Sequence, residues 1–577
     1  SPLAVAESQP MSADGLAARE GLAALAEGRF AEARLRLESA LEGCAPGDRG
    51  QIEERLATAC FALEDYESGL LHARSSFRLH RASGAVRRAA FTAILIANIH
   101  QNMGDLAAQR GWLGRAGRLL KDQGRCLEAG YFAVATSACD VLEIERLREQ
   151  TRTALEIARE FGDTDLEVRA LADGGLALVA SGQVAEGFAW LDEAMAAIVA
   201  GEVANHVFAA KSCCAMMHAC DRIGDVERAS EWARAVSGYA QTRFGSPAPP
   251  ILMSHCRIAL GSLLAETGRW PEAEAELAAA MRTSRAVQKQ MEAAGRLAEL
   301  LVLQGKLSEA ERLLAGCEDA PAAIPARVRL HLVRDELDRA DGAVRRGLRE
   351  LGQDLPAAVR LLCLQVEVEV RAGHCARGRR VASEAMNIAR RLGTVGHLAA
   401  ALLATGRAAA ACGEDAAAPL TEALTVLGET PRPVLRAEIR LELALATRDK
   451  DRRAAVEEAD AALAVFRRLG QRREADRAAA LLREFGVRAK SVDPGVAGDK
   501  LTAREREVLE LLSDGLTNAQ IAQRLFITAR TAEHHVASIL AKLSLSRRSE
   551  AAAYAARARP GADPVFPPPS LQPNAIP

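Results

Sequence analysis

Along most of the chain, apolar residues fall three and four apart, as in Leu35, Leu37, Ala40 and Leu41. That spacing gathers them on one face of a helix. From about residue 14 to 486 it predicts helix after helix, and β-branched, alternating stretches are too scarce for a sheet. A turn pattern punctuates the helices: a small or polar residue, one spacer, an apolar residue, two spacers, then Ala or Gly. It stands at Gly28/Phe30/Ala33, Gly182/Val184/Gly187, Gly224/Val226/Ala229, Gly268/Trp270/Ala273, Gly305/Leu307/Ala310 and Gly373/Cys375/Gly378. Looser copies occur at Glu64/Tyr66/Gly69, Gly104/Leu106, Asp335/Leu337/Ala340 and Gly413/Ala418, and a degenerate one near Asp140 to Glu143 would fill the long gap after Gly104.

Each element of the pattern has a physical reason. Glycine ends one helix at positive φ, the apolar residue anchors the next, and the small residue lets the two helices approach closely. One helix pair cannot bury its own apolar stripe, so pairs at intervals of about 40 residues stack into a solenoid. Residues 1–487 hold on the order of twelve such pairs, with Pro247, Pro249 and Pro250 placed to kink the array between two parts. The segment resembles the tetratricopeptide-repeat family, with a longer and more variable period. Such an array offers a concave face to a protein or small-molecule ligand. Trp112, Trp190, Trp232 and Trp270 could line that face, although Trp190 and Trp270 follow the repeat pattern as core residues do.

Composition narrows the class. The chain has 577 residues, 49% hydrophobic, with a net charge of −2, and lacks an apolar run long enough to span a bilayer. Ser1 to Pro10 lacks the layout of a signal peptide, and the absent initiator Met is expected of a processed chain or a fragment. Twelve cysteines without a Cys-x-x-Cys pair fit a reducing, cytoplasmic setting. Cys213, Met217 and Cys220 would share one helical face, a conceivable soft-metal site, but the bland reading, small apolar residues filling a buried helix, is preferred. A phosphate-binding loop, a zinc-protease motif and a nucleophile elbow are all missing, so neither enzyme chemistry nor a cofactor is expected.

The C-terminal end differs. Residues 488–499 contain Pro494, Gly495 and Gly498 and read as a linker. Residues 500–559 carry ten Lys and Arg against six acids, a local +4 that leaves −6 for the remainder, and such asymmetry points to nucleic acid. Thr502 with Glu505 and Thr517 with Gln520 form capping boxes, Leu516 and Ile521 form a hydrophobic staple, and Thr528 caps a third helix. Ala532, Val536, Ile539 and Leu543 share that helix's inner face, and a fourth helix spans about 548–557. Residues 560–577, with seven prolines, read as a disordered tail.

Two short helices, a tight turn and a longer exposed helix describe a helix-turn-helix. Leu501-Thr-x-Arg-Glu-x-Glu-Val-Leu509, Gly515-Leu-Thr-Asn-x-x-Ile-Ala522, Arg530-Thr531, His535-Val536 and Ile539-x-x-Lys542-Leu543 together resemble the LuxR-type DNA-binding domain. The resemblance implies a four-helix module that enters the major groove with its third helix and dimerises on promoter DNA; with the repeats before it, the expected chain is all-α, a tetratricopeptide-like solenoid followed by this module. It places base-reading positions on Glu533, His534 and Ala537. Glu533 would accept from cytosine and His534 donate to guanine, or Glu533 would only orient Arg530 or His534. Phosphate contacts are assigned to Thr517, Asn518, Arg530, Thr531, Lys542 and Arg548; Glu505 is read as a cap and His535 as bordering the core. Many members of the family carry Lys at the positions of Ala519 and Glu533, so some phosphate contacts are lost here.

The whole layout looks like the C-terminal part of the large ATP-binding LuxR regulators related to MalT, without their ATPase domain. It implies a bacterial regulator acting with RNA polymerase, whose array receives a ligand or partner and could mask the module. The rival expectation is an interaction scaffold that DNA binding merely localises.

Overall fold

The computed structural model describes residues 15–137, 144–244, 250–317, 320–487, 503–513, 516–525, 527–542, 547–548 and 550–551. Among them there is no strand, and no helix is long and apolar enough to cross a membrane. The linker 488–499, the tail 560–577, Asp140 to Glu143, Pro247 and Pro249 lie outside the described residues. The chain divides into two compact units, residues 1–458 and 459–577. That boundary falls inside the helix Arg452–Leu469, before the 487/488 boundary read from the sequence.

Among the described residues, eleven helix pairs run from Gly15 to Leu427, followed by the helices Pro433–Thr447, Arg452–Leu469 and Arg472–Glu484. The solenoid is therefore the observed fold, and its punctuation is the expected one. Gly28, Gly104, Gly182, Gly224, Gly268, Gly305, Gly373 and Gly413 all take positive φ. So do Glu64 (57°) and Asp335 (61°), the non-glycine residues at two of the looser copies. The residue after the turn often caps the second helix: the carboxylates of Asp65 and Asp105 accept from the amides of Ser68 (3.3 Å) and Ala108 (3.0 Å). The apolar anchors Phe30, Tyr66 and Trp270 are buried, as are the small residues Ala33, Ala229, Ala273, Ala310 and Ala340. At Gly187 the reason for smallness is direct, since a Cβ there would stand 2.6 Å from the Gly175 carbonyl oxygen.

The four tryptophans serve packing. Trp270 Nε1 donates to the Ala265 carbonyl (3.0 Å), Trp232 Nε1 donates to Asp192 (2.9 Å), Trp190 packs against the core, and Trp112 meets Phe77 edge-on at 5.1 Å. The sulfur-rich stretch is buried in the helix His206–Ile223, with Cys220 Sγ 3.8 Å from Met216 Sδ. Burial raises the Cys213 and Cys220 thiols, disfavouring the thiolate that a metal would need.

Several of the first helices carry charge inward. Asp221 accepts from Arg296 at 2.8 Å, and Glu299 accepts from Arg329 at 3.1 Å and also from Arg360. Burial alone would raise the Glu299 carboxyl, but Arg360 and Arg329 outweigh it and hold the group at about 2. Contacts also join repeats far apart in sequence. His206 Nε2 bonds the Ala26 carbonyl at 2.8 Å, Arg222 Nε donates to Asp354 at 2.8 Å, and Arg432 Nη2 donates to the Gly224 carbonyl at 3.3 Å. These partners lie 132 to 208 residues apart, so successive turns of the solenoid touch.

Candidate nucleic-acid interface

Three helices, Ala503–Ser513, Asn518–Leu525 and Ala529–Lys542, build the C-terminal module. Val508, Leu509, Leu512, Ile521, Ala522, Ala532, Val536 and Ile539 form its core, with Leu511 and Leu516 against it. The second helix begins with the reciprocal capping box: the Gln520 amide donates to Thr517 Oγ1 (3.4 Å), while Gln520 Oε1 accepts from the Thr517 amide (2.8 Å). The staple pair Leu516 and Ile521 both enter the core. Thr528 caps the third helix, its hydroxyl accepting from the Thr531 amide at 3.1 Å. These local bonds set where the third helix starts. Of the stretch in which a fourth helix is expected, only Arg548, Glu550 and Ala551, with Arg547 just before it, are described.

The third helix is two-sided. Ala532, Val536 and Ile539 are buried, whereas Arg530, Thr531, Glu533, His534 and Ala537 are exposed; Leu543 lies outside the described residues, and His535 is half-buried at the border. Arg530, Glu533 and His534 have no hydrogen-bond or ion-pair partner among the described residues, so no contact has Glu533 orienting Arg530 or His534. Their polar atoms are available to something outside the module.

Glu505 does more than end a helix. It is buried, and its carboxylate accepts from Ser538 Oγ (2.6 Å) and from Lys542 Nζ at both oxygens (2.8 Å each), binding the first helix to the third. Its expected capping partner, Thr502, lies outside the described residues. Ser538 escaped the sequence reading, although it stands four residues before Lys542 on the same face. Lys542, assigned from sequence to a phosphate, is half-buried and pairs with Glu505. Asn518 and Arg548 also meet each other, Arg548 Nη1 donating to Asn518 Oδ1 at 2.5 Å and Nη2 to the Leu516 carbonyl. Thr517 remains exposed at the mouth of the second helix.

Residues 499–555 match the family described as bacterial regulatory proteins of the luxR family. The C-terminal module is a LuxR-family domain. Similar proteins include the DNA-binding transcriptional activator DevR/DosR of Mycobacterium tuberculosis, 45% identical over 89 residues, which cover 15% of this chain and 40% of that protein. The transcriptional regulatory protein LiaR of Bacillus subtilis is 48% identical over 59 residues, 10% of this chain and 28% of its own. The nitrate/nitrite response regulator NarL of Escherichia coli is 46% identical over 56 residues, 10% and 26% of the two chains. The chain spans less than half the length of these curated relatives. Among solved structures, the Cut9–Hcn1 hetero-tetramer of the APC/C is similar at a TM-score of 0.40 and 14% identity, over 94% of this chain and 96% of that one.

Proposed function

We propose that this chain is a bacterial transcriptional regulator that binds promoter DNA through the third helix of its LuxR domain, with the repeat array as the part that receives a ligand or partner. One observation carries the reading: Arg530, Glu533 and His534 stand outward and unpartnered among the described residues, on a helix held from behind by Glu505. In the major groove, His534 donates to guanine, Glu533 accepts from the cytosine amino group, and Ala537 gives the backbone room to approach. Arg530, Thr517 and Thr531 meet phosphates. Asn518, Arg548 and Lys542 act one step back, holding the helix ends in register. Two copies on one site put half-sites about 10 bp, or a multiple of it, apart.

Genomic footprinting of the tagged protein, with an Arg530→Ala/His534→Ala control, tests this. Discrete promoter peaks lost in the control support the reading. Peaks that persist in the control would assign DNA contact to another surface, and a chain that never occupies promoters would not be a regulator of this kind.

A further inference from the structure

A glutamate in a left-handed turn is conformationally costly, and elsewhere in the array glycine usually fills that place. Glu64 takes φ 57° and is 1% exposed. Its carboxylate reaches the repeat that begins more than 200 residues later: it accepts from the Arg285 amide at 2.7 Å, from Ser284 Oγ at 3.3 Å and from Lys289 Nζ at 3.3 Å. Ser284 and Lys289 are buried with it. Glycine would relieve the backbone but could make none of these bonds.

In the helix Arg49–Ala62, residues Ile52, Glu53, Glu54, Arg55, Leu56 and Ala57 are consecutive and all buried, so every side of that helix is covered, including the side an open solenoid presents to ligands. The helix His206–Ile223 shows the same all-round burial from Ser212 to Met217. His206 on Ala26 and Arg222 on Asp354 add to the closure, but each of those residues has an ordinary backbone.

We propose that Glu64 is a latch: it clasps residues 284–289 one solenoid turn onward and closes the inner faces of the first helices, so that access to them requires its release. That the array receives a signal is the reading given above; the latch stands without it, because its test uses no DNA.

Hydrogen exchange and maleimide labelling of the full chain test the latch, in the wild type, Glu64→Gly and Lys289→Met. Glu64→Gly suits the turn's backbone and removes every latch bond. The expected result is exchange about tenfold or more faster at 284–290, with 49–62 and 66–82 still protected, and faster labelling of the inner-helix thiols Cys213 and Cys214. Lys289→Met, which keeps the Arg285 and Ser284 bonds, is expected to give a smaller change in the same direction. Unchanged exchange and labelling in Glu64→Gly would overturn the latch. Loss of protection throughout 49–82 would overturn it too, since Glu64 would then only build its own repeat.

Discussion

The array and the LuxR domain use charge in opposite directions. In the array, Asp221, Glu299, Arg296 and Arg329 point inward and pair across helices, so their charge holds the fold. In the LuxR domain, one acid, Glu505, is turned inward for that purpose, while Arg530, Glu533 and His534 point outward. Where a side chain faces thus separates residues that hold the fold from residues left open to a partner. A buried, paired charge is costly to break, whereas an outward one can be replaced with little effect on stability.

The largest effect is expected at Glu299. Glu299→Gln leaves Arg329 and Arg360 without their counter-charge and should lower stability at pH 7 by about 3–5 kcal/mol in chemical denaturation. Because the carboxyl is held at about 2, below its usual 4.5, its contribution is present above pH 4.5 and lost as the pH falls towards 2. The gap between wild type and variant should therefore close over that interval; a gap that stays constant would place the stabilisation elsewhere.

Lys211 offers the opposite sign within the same region. Burial, helped by the neighbouring Arg169, lowers its ammonium from 10.5 to about 7. Between those values the unfolded chain binds the extra proton, so the lysine's penalty is full below pH 7 and fades as pH rises. Lys211→Met should raise stability by about 1–4 kcal/mol at pH 6 and by less at pH 9, read from melting curves.

In the LuxR domain, Glu505→Ala should cost about 1.5–3 kcal/mol, and a double-mutant cycle with Lys542→Met should recover part of it as coupling. Smallest for stability is His534→Ala, within about 0.5 kcal/mol. The same change should cost about 1–3 kcal/mol of discrimination at one base pair, and Arg530→Ala should flatten the salt dependence of binding by about one unit of slope. If His534→Ala unfolded the domain instead, the division between inward residues that hold the fold and outward ones would fail.

Local features were legible in the sequence because their causes are local. A turn needs φ > 0 and an anchor two residues later, so even Glu64 and Asp335 could be placed at turns from spacing alone. The capping box at Thr517 and the two-sided third helix follow from positions three and four apart. Long-range partners were not legible. Nothing near Glu64 announces Lys289, and nothing near Glu505 announces Ser538, because these pairs are made by the path of the backbone. Lys542 and Arg548, assigned to phosphates from sequence, also have acceptors within the domain that no local spacing announces.

The touching turns carry one more consequence. A linear stack can gain or lose a unit at small cost, since each unit knows only its neighbours. Here Ala26 meets His206, Glu64 meets residues 284–289, and Gly224 meets Arg432. Inserting or deleting one helix pair between any two partners would shift that contact by a full repeat. The array can vary in sequence at each unit, but the number of units between its meeting points is fixed by its own geometry.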